Sequence, residues 1–214
     1  MIQLYNYYRS SASYRVRIAL HLKQIPFEYH AINLRDGAHK TDTFKKINTF
    51  QTVPYFIDGD IKLSQSLAIF DYLENLHPEP TLYPKDPVLR AKALEITLSL
   101  VCDLHPLNNL KVLTYLREKT NFNDEQIMSW MHHWFHQILA PLEEMISKNK
   151  QTRYALTNSV TIVELCLIPQ LYNAHRFGVD LSKYPTLKTI ESTCLELDSF
   201  QKALPENQID YEGN

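Results

Sequence analysis

Glycine is scarce: Gly37, Gly59, Gly178 and Gly213 are the only four in 214 residues, where an average composition would supply about fifteen. They lie too far apart for GxGxxG or GxxxxGKS/T, whose closely spaced glycines bring backbone against phosphate, so nucleotide-binding loops of both kinds are excluded. Cysteine is sparse as well. Cys102, Cys166 and Cys194 are odd in number and far apart, with no CxxC to form a redox pair or half a zinc site, and are expected as buried thiols. Neither sign of charge dominates. The 22 basic and 24 acidic side chains leave a formal −2, which favours neither nucleic acid nor an anionic membrane surface as a partner. No stretch approaches the roughly 18 uncharged apolar residues of a membrane span. The opening Met1-Ile2-Gln3-Leu4-Tyr5 has no basic segment followed by an apolar run, so a cytoplasmic protein is expected.

What is present is a globular composition, 44% hydrophobic and 21% charged, long enough for one large domain or two small ones at about 150 residues per domain. Pro78, Pro80, Pro84 and Pro87 mark a boundary: a first domain over residues 1–80, a Pro-rich linker over 81–87 and a second domain over 88–214. Residues 1–87 carry 10 basic and 9 acidic side chains, leaving 12 and 15 for the remainder, so charge does not divide the chain. No internal repeat or low-complexity segment interrupts it.

In the first domain, residues 2–5 and 27–32 read as strands flanking a helix over 13–23, where Val16, Ala19, Leu20 and Lys23 follow i, i+3, i+4, i+7. A short helix is placed near residues 43–47. Residues 53–57 and 61–63, separated by Asp58-Gly59-Asp60, read as a hairpin. Ser64 is the expected N-cap of a helix from Gln65 whose buried face carries Ile69, Phe70, Leu73 and Leu76. This βαβαββα order is thioredoxin-like. Beyond the linker only amphipathic stretches occur, over 88–118, 124–148, 162–177 and 186–197, which predicts a helical bundle and an α/β plus all-α chain. Thr161-Ile162-Val163-Glu164 fits a capping box, and Pro169 predicts a kink in the helix that follows.

Particular segments narrow this plan. Tyr7-Tyr8-Arg9-Ser10-Ser11-Ala12-Ser13-Tyr14-Arg15-Val16-Arg17-Ile18-Ala19-Leu20 resembles a signature whose core is serine, serine, cysteine at the start of the first helix. Val53-Pro54, Gln65-Ser66-Leu67-Ala68-Ile69 and His105-Pro106-Leu107-Asn108-Asn109-Leu110 match further segments. So do Leu165-Cys166-Leu167-Ile168-Pro169-Gln170, Asn173-Ala174-His175-Arg176-Phe177 and Val179-Asp180-Leu181. With a thioredoxin-like domain that lacks CxxC joined to a helical one, the chain is similar to the zeta-class glutathione transferases over nearly its whole length.

The resemblance implies glutathione as cofactor and a cis to trans isomerisation of maleylacetoacetate, with a homodimer as the assembly. It implies that the turn formed by Ser10, Ser11, Ala12, Ser13, Tyr14 and Arg15 contacts glutathione, with Ser10, Ser11 and Arg15 catalytic. Ser10 and Ser11 stand where strand gives way to helix, so an anion there would meet free amides and the positive helix end; plain helix capping is the alternative. By resemblance the Val53-Pro54 bond is cis and presents backbone to the extended tripeptide, while Gln65 and Ser66 receive the γ-glutamyl carboxylate. His39 or Lys40 would hold the glycyl end. His105, Asn109 and Lys111 would face glutathione from the first long helix of the second domain. Arg9 and Arg176, with Arg15, would bind carboxylates of an unsaturated keto acid, although a solvated or salt-bridged arginine is the commoner role.

Two departures from the family pattern stand out. Ala12 replaces the signature cysteine, and Tyr154-Ala155-Leu156-Thr157-Asn158-Ser159 replaces a stretch that usually carries Gly-Asp. His132 and His136 share a helix face, but HExxH and an acidic third ligand are missing, so no metal is expected; Trp130, Trp134 and Phe135 read as bundle packing. Rival activities are maleylpyruvate isomerisation and general glutathione transfer; outside catalysis, the same fold could serve as a ligand carrier or assembly module.

Overall fold

The computed structural model describes residues 1–149 and 151–213. The chain divides into two compact units, Met1–Leu82 with Leu195–Asn214, and Tyr83–Cys194. The last segment therefore differs from the sequence-based expectation: the chain after Cys194 joins the first unit, where the sequence had been read as a continuation of the helical domain.

In the first unit, strands β1 (Ile2–Asn6), β2 (Phe27–Ala31), β3 (Tyr55–Asp58) and β4 (Ile61–Leu63) form one sheet in the order β2-β1-β3-β4. β1 pairs parallel with β2 and antiparallel with β3, which pairs antiparallel with β4. Between them run helices α1 (Ser11–Leu22) and α2 (Asp42–Ile47), and α3 (Ser66–Leu76) follows the hairpin. The elements follow the expected βαβαββα order. Period-two alternation gives the sheet two faces. Leu4 and Phe56 are direct cross-strand partners, both fully buried, and Phe56 meets Tyr72 of α3 edge-on at 5.8 Å. Tyr5 and its partner Tyr55 occupy the opposite face, where Tyr5 lies 6.2 Å from Phe44 of α2. The β3–β4 connection is the two-residue loop Gly59-Asp60, since Asp58 already pairs with Ile61, with Gly59 at φ 57°, a left-handed conformation that costs glycine little.

α3 corrects two expectations. Its N-cap is Gln65 rather than Ser64, and the Gln65 side chain makes no capping bond. Leu76 is 52% exposed although Leu73, one turn earlier on the same face, is fully buried, because the helix ends at Leu76.

In the second unit, α4 (Pro87–Leu98) starts with Asp86 Oδ1 accepting the Leu89 amide at 2.8 Å and with Pro87 at its first position, where a missing N–H costs nothing. The amphipathic stretch over 88–118 is not one helix. A π-helical turn (Ser99–Leu104) follows α4, and α5 (Leu110–Thr120) begins only after Pro106, whose ring and absent N–H cannot continue a helix. Cys102 lies on the π-helical turn and is exposed, unlike the buried Cys166 and Cys194. α6 (Asp124–Ser147) buries the stripe Ile127, Met131, Phe135, Leu139, Leu142 and Ile146. α7 (Ile162–Arg176) is buried on almost every side and runs on through Pro169. α8 (Pro185–Leu195) closes the unit. α9 (Asp198–Ala203), which hydrophobic periodicity did not show, packs on α1 in the first unit.

The capping box at Thr161 is present in full. Glu164 Oε2 accepts the Thr161 amide at 2.7 Å and its hydroxyl at 2.9 Å, while Oε1 accepts the Ala155 amide at 3.0 Å. The stretch over 154–159, which departs from the family pattern, is thus tied to this same carboxylate. Burial pushes the Glu164 carboxyl up from its ordinary value against these bonds.

Candidate active site

Sheet register gathers the site. Tyr5 pairs with Tyr55 and Phe56 with Leu63, so the end of β1, the start of β3 and the end of β4 lie at one edge of the sheet. The connections carrying Ser10, Val53-Pro54 and Gln65-Ser66 all leave from that edge, and β2, parallel to β1, sends out the loop with His39 and Lys40 there too. Tyr7, Tyr8, Phe44 and Val53 form one buried cluster, which joins the β1–α1 turn to the segment before β3.

Ser10 is the N-cap of α1. Its amide donates to the Tyr7 carbonyl at 3.0 Å, its carbonyl accepts from Tyr14 at 2.8 Å, and its hydroxyl oxygen accepts the Ser13 amide at 3.2 Å. A hydroxyl carries one donor and two acceptor lone pairs, so the cap leaves the Ser10 proton available to an anion. Capping and anion binding, alternatives in the sequence, are compatible in the geometry. The amides of Ser11 and Ala12, at the first two positions of α1, enter none of the described hydrogen bonds. Ser10 is half-buried, Ser11 is buried, and Ser13 is fully buried with no hydrogen-bond partner for its hydroxyl. Tyr14 is enclosed, with the Arg17 guanidinium 5.4 Å from its ring.

The Val53-Pro54 peptide is cis. The preceding turn is shaped by Asn48, a residue the sequence did not single out: its side chain donates to the Thr52 carbonyl at 2.8 Å and accepts the Phe50 amide at 3.0 Å. An Asx turn shortly before the Val-Pro pair was the available signal. The Val53 amide and carbonyl enter none of the described ladder or turn bonds, which leaves both groups for a ligand. At α3, the Ser66, Leu67 and Ala68 amides likewise enter none of the described bonds, so this helix start has donors to spare.

These features test whether the site fits glutathione, a tripeptide with a thiol and two carboxylates. The site offers a hydroxyl and two amides for a thiolate, one unpaired backbone edge for a peptide, and an uncapped helix N-terminus for a carboxylate. The donor set fits. His39 is half-buried with Nδ1 unpartnered, and burial, reinforced by Lys40, holds its imidazole below the usual value; Lys40 is exposed.

The arginines differ. Arg9 is half-buried, 6.0 Å from the Tyr8 ring centroid, whereas Arg15 is only 1% exposed. Arg17, which the sequence did not place in the site, is fully buried and donates to the Asn6 side chain and to the Tyr7, Tyr8 and Ala203 carbonyls.

In the second unit, His105 follows the π-helical turn, Asn109 is the N-cap of α5 and Lys111 is in its first turn, so the three do not share one long helix. The Asn109 side chain accepts the Lys111 amide at 3.1 Å. His105 Nδ1 lies 3.2 Å from Gln170 Nε2, and Gln170 accepts from Asn108 at 2.9 Å, which ties this turn to α7. Lys111 is exposed. Arg176 is exposed in the last turn of α7, its guanidinium 4.7 Å from the Phe177 ring. His132 Nε2 contacts the Phe177 carbonyl at 2.8 Å and His136 Nδ1 the Tyr184 hydroxyl at 2.6 Å. Among the described residues no group of three His, Cys, Asp or Glu side chains is arranged to hold a metal.

Residues 1–75 match the family model described as glutathione S-transferase, N-terminal domain. Over 209 residues, 97% of each chain, the protein is 41% identical to a probable maleylacetoacetate isomerase of Vibrio cholerae. The chain belongs to the zeta class of the glutathione S-transferases. Two solved structures superpose on it closely. One is a holo maleyl pyruvate isomerase, described as a bacterial zeta-class glutathione S-transferase, with a TM-score of 0.95 at 37% identity over 97% of this chain and 99% of that one. The other is the maleylacetoacetate isomerase of Methylobacterium extorquens AM1 with bound malonate and glutathione, with a TM-score of 0.94 at 36% identity over 99% and 100%. This zeta-class chain is thus an enzyme of a family whose cofactor is glutathione. No described helix is long and apolar enough to cross a membrane.

Proposed function

We propose that this enzyme is a glutathione-dependent cis–trans isomerase acting on maleylacetoacetate and forming fumarylacetoacetate. The observation that carries the reading is the Ser10 turn, where the hydroxyl that caps α1 keeps its proton and the Ser11 and Ala12 amides, at the first two positions of the helix, enter none of the described hydrogen bonds. Glutathione, when bound, supplies a thiolate able to add reversibly to a conjugated double bond and so permit rotation.

The chain's own residues do the rest. Ser10 donates its hydroxyl proton to the thiolate, with Ser11 supporting the turn. Together with the α1 helix end these donors lower a thiol pKa from about 8.5 by about two units, worth roughly 2.7 kcal/mol. The Val53 backbone pairs with the extended peptide. Gln65, Ser66 and the α3 amides receive one carboxylate, and His39 rather than Lys40 takes the other end, since its buried Nδ1 has no hydrogen-bond partner among the described residues. Arg9, Arg15 and Arg176 are assigned to the substrate carboxylates, and His105, Asn109 and Lys111 to glutathione from the second domain. Ala12 leaves no thiol at the signature cysteine position, so this activation depends on hydroxyl and amide donors alone.

A second substrate, maleylpyruvate, is favoured by the solved relative of that activity. Purified protein assayed for glutathione-dependent conversion of maleylacetoacetate and maleylpyruvate side by side tests the reading; no conversion of either overturns it. The working form is taken as a homodimer of the 25.1 kDa chain, in the cytoplasm, where free thiols such as the three here are normal. Light scattering showing only a monomer at micromolar concentration would refute the dimer.

A further inference from the structure

We infer that Asp210 is a positioning residue for the Ser10 turn, and that the segment after α9 belongs to the scaffold of the thiol site. The inference rests on the reading of Ser10 as the thiolate donor.

One peptide plane carries the argument. The Tyr7 carbonyl and the Tyr8 amide belong to the same rigid peptide unit. Its oxygen accepts the Ser10 amide at 3.0 Å, the bond that closes the turn on which the Ser10 hydroxyl is mounted. Its N–H donates to Asp210 Oδ2 at 3.1 Å. Asp210 is 202 residues away in sequence, yet it grips the far end of the plane that holds Ser10. Turning that plane would move both groups together, so a carboxylate on its N–H sets the direction of the carbonyl that orients Ser10.

Asp210 is itself held. Its Oδ1 accepts the Tyr29 hydroxyl, and burial pushes the Tyr29 phenol well up, so it remains a donor at neutral pH. Tyr211 meets the Tyr8 ring edge-on at 5.5 Å, and Glu212 Oε1 accepts from the Asn33 side chain at 2.9 Å. Arg17 ties the other side of the turn to the same segment of chain. It donates to the Tyr8 carbonyl at 2.8 Å, to the Tyr7 carbonyl at 3.4 Å and twice to the Ala203 carbonyl at 3.1 Å. The Tyr7–Tyr8 and Tyr8–Arg9 peptides are thus fixed by a buried guanidinium and a carboxylate. A displacement of a catalytic group by about 1 Å from a distant change costs catalysis heavily, which is why such pinning matters to function as well as to folding.

The test uses full-length protein with glutathione bound, comparing wild type, Asp210→Ala, Tyr29→Phe, Ser10→Ala and the double variant Ser10→Ala/Asp210→Ala. Ultraviolet titration of the bound thiolate gives its pKa, calorimetry gives glutathione affinity, and hydrogen exchange of the unliganded protein reports the Tyr8 and Ser10 amides. Asp210→Ala is expected to raise the bound thiol pKa by about half a unit or more, with affinity within about threefold of wild type and faster exchange at Tyr8 and Ser10. Tyr29→Phe, which keeps the Asp210 carboxylate and removes only its anchor, should shift the same readouts less and serves if Asp210→Ala does not fold. In the Ser10→Ala background the Asp210 substitution should move the titration no further. If Ser10→Ala shifts the titration but neither Asp210→Ala nor Tyr29→Phe does, the positioning role is wrong and the Ser10 assignment stands. An equal further shift in the double variant also overturns it, because Asp210 then acts independently of Ser10. A titration unmoved by Ser10→Ala removes the Ser10 assignment, and this inference with it.

Discussion

Ser10 Oγ lies 3.2 Å from the Ser13 amide nitrogen and accepts its hydrogen, so the side chain caps α1 while its own proton is left for the thiolate of the proposed function. The two duties separate by substitution. Ser10→Ala removes both and is expected to cost about 1 kcal/mol of stability and to raise the bound thiol pKa by about one to two units. Ser10→Asp restores the cap and the stability, since aspartate caps as well as serine, but its carboxylate repels a thiolate and turnover stays low. Chemical denaturation beside thiolate titration checks both halves. A Ser10→Asp variant as active as wild type would leave the hydroxyl with no part in activation.

Ser11→Ala is expected to move the titration less than Ser10→Ala, because Ser11 contributes mainly its amide, which the substitution keeps. If Ser11→Ala shifts the thiolate and Ser10→Ala leaves it in place, the two serines exchange roles.

Lys23, its ammonium fully enclosed, donates to Glu74 Oε2 at 2.9 Å and to the Pro80 carbonyl at 2.9 Å, pinning the C-terminal end of α1 to the end of α3 and the proline segment. Burial alone would push the Glu74 carboxyl up, but the Thr81 hydroxyl, the Leu82 amide and Lys23 outweigh it and hold it below its ordinary 4.5. A depressed carboxyl stabilises the fold fully above its unfolded value and loses that contribution as pH falls through the folded one. Thermal midpoints of the wild type should therefore decline below about pH 4.5 more steeply than those of Glu74→Gln. At neutral pH that variant should be less stable by about 3 kcal/mol, since the buried Lys23 ammonium loses its only paired charge among the described residues and keeps carbonyl acceptors alone. Parallel pH profiles of the two proteins would contradict the assignment.

Arg176→Ala is expected to raise the KM for the keto acid by about tenfold while glutathione affinity stays near wild type, as loss of a charge-assisted pair to a carboxylate requires. Steady-state kinetics with either reactant varied reads this directly. Weakened glutathione binding with an unchanged keto-acid KM would move Arg176 to the cofactor.

Removing the Glu164 carboxylate leaves the Ala155 amide, the Thr161 amide and the Thr161 hydroxyl without their shared acceptor. Glu164→Ala should destabilise the protein by about 3 kcal/mol or more, and Glu164→Gln by less because one oxygen remains. Denaturant midpoints distinguish them, and equal stability of all three proteins would mean the capping box contributes nothing.

Features that depend on neighbours a few residues apart are legible in the amino-acid order alone. Strand alternation, the glycine-bearing hairpin turn, the Thr161–Glu164 box and the order βαβαββα before a helical bundle are local patterns, each set by periodicity, turn chemistry or capping over one or two turns of chain. The sequence also marked Ser10, Val53-Pro54 and Gln65-Ser66 as candidates. Tertiary structure alone decided that these three leave one edge of the sheet, because strand register is a pairing between distant segments. It decided that the stretch over 88–118 breaks, since apolar spacing continues across Pro106 while the backbone cannot. It also decided that residues 195–214 belong with the first unit, because the partners of Ala203 and Asp210 are Arg17, Tyr8 and Tyr29. A hydrogen bond spanning 202 residues leaves no periodic trace in a sequence, for the chain between its ends sets neither its distance nor its direction.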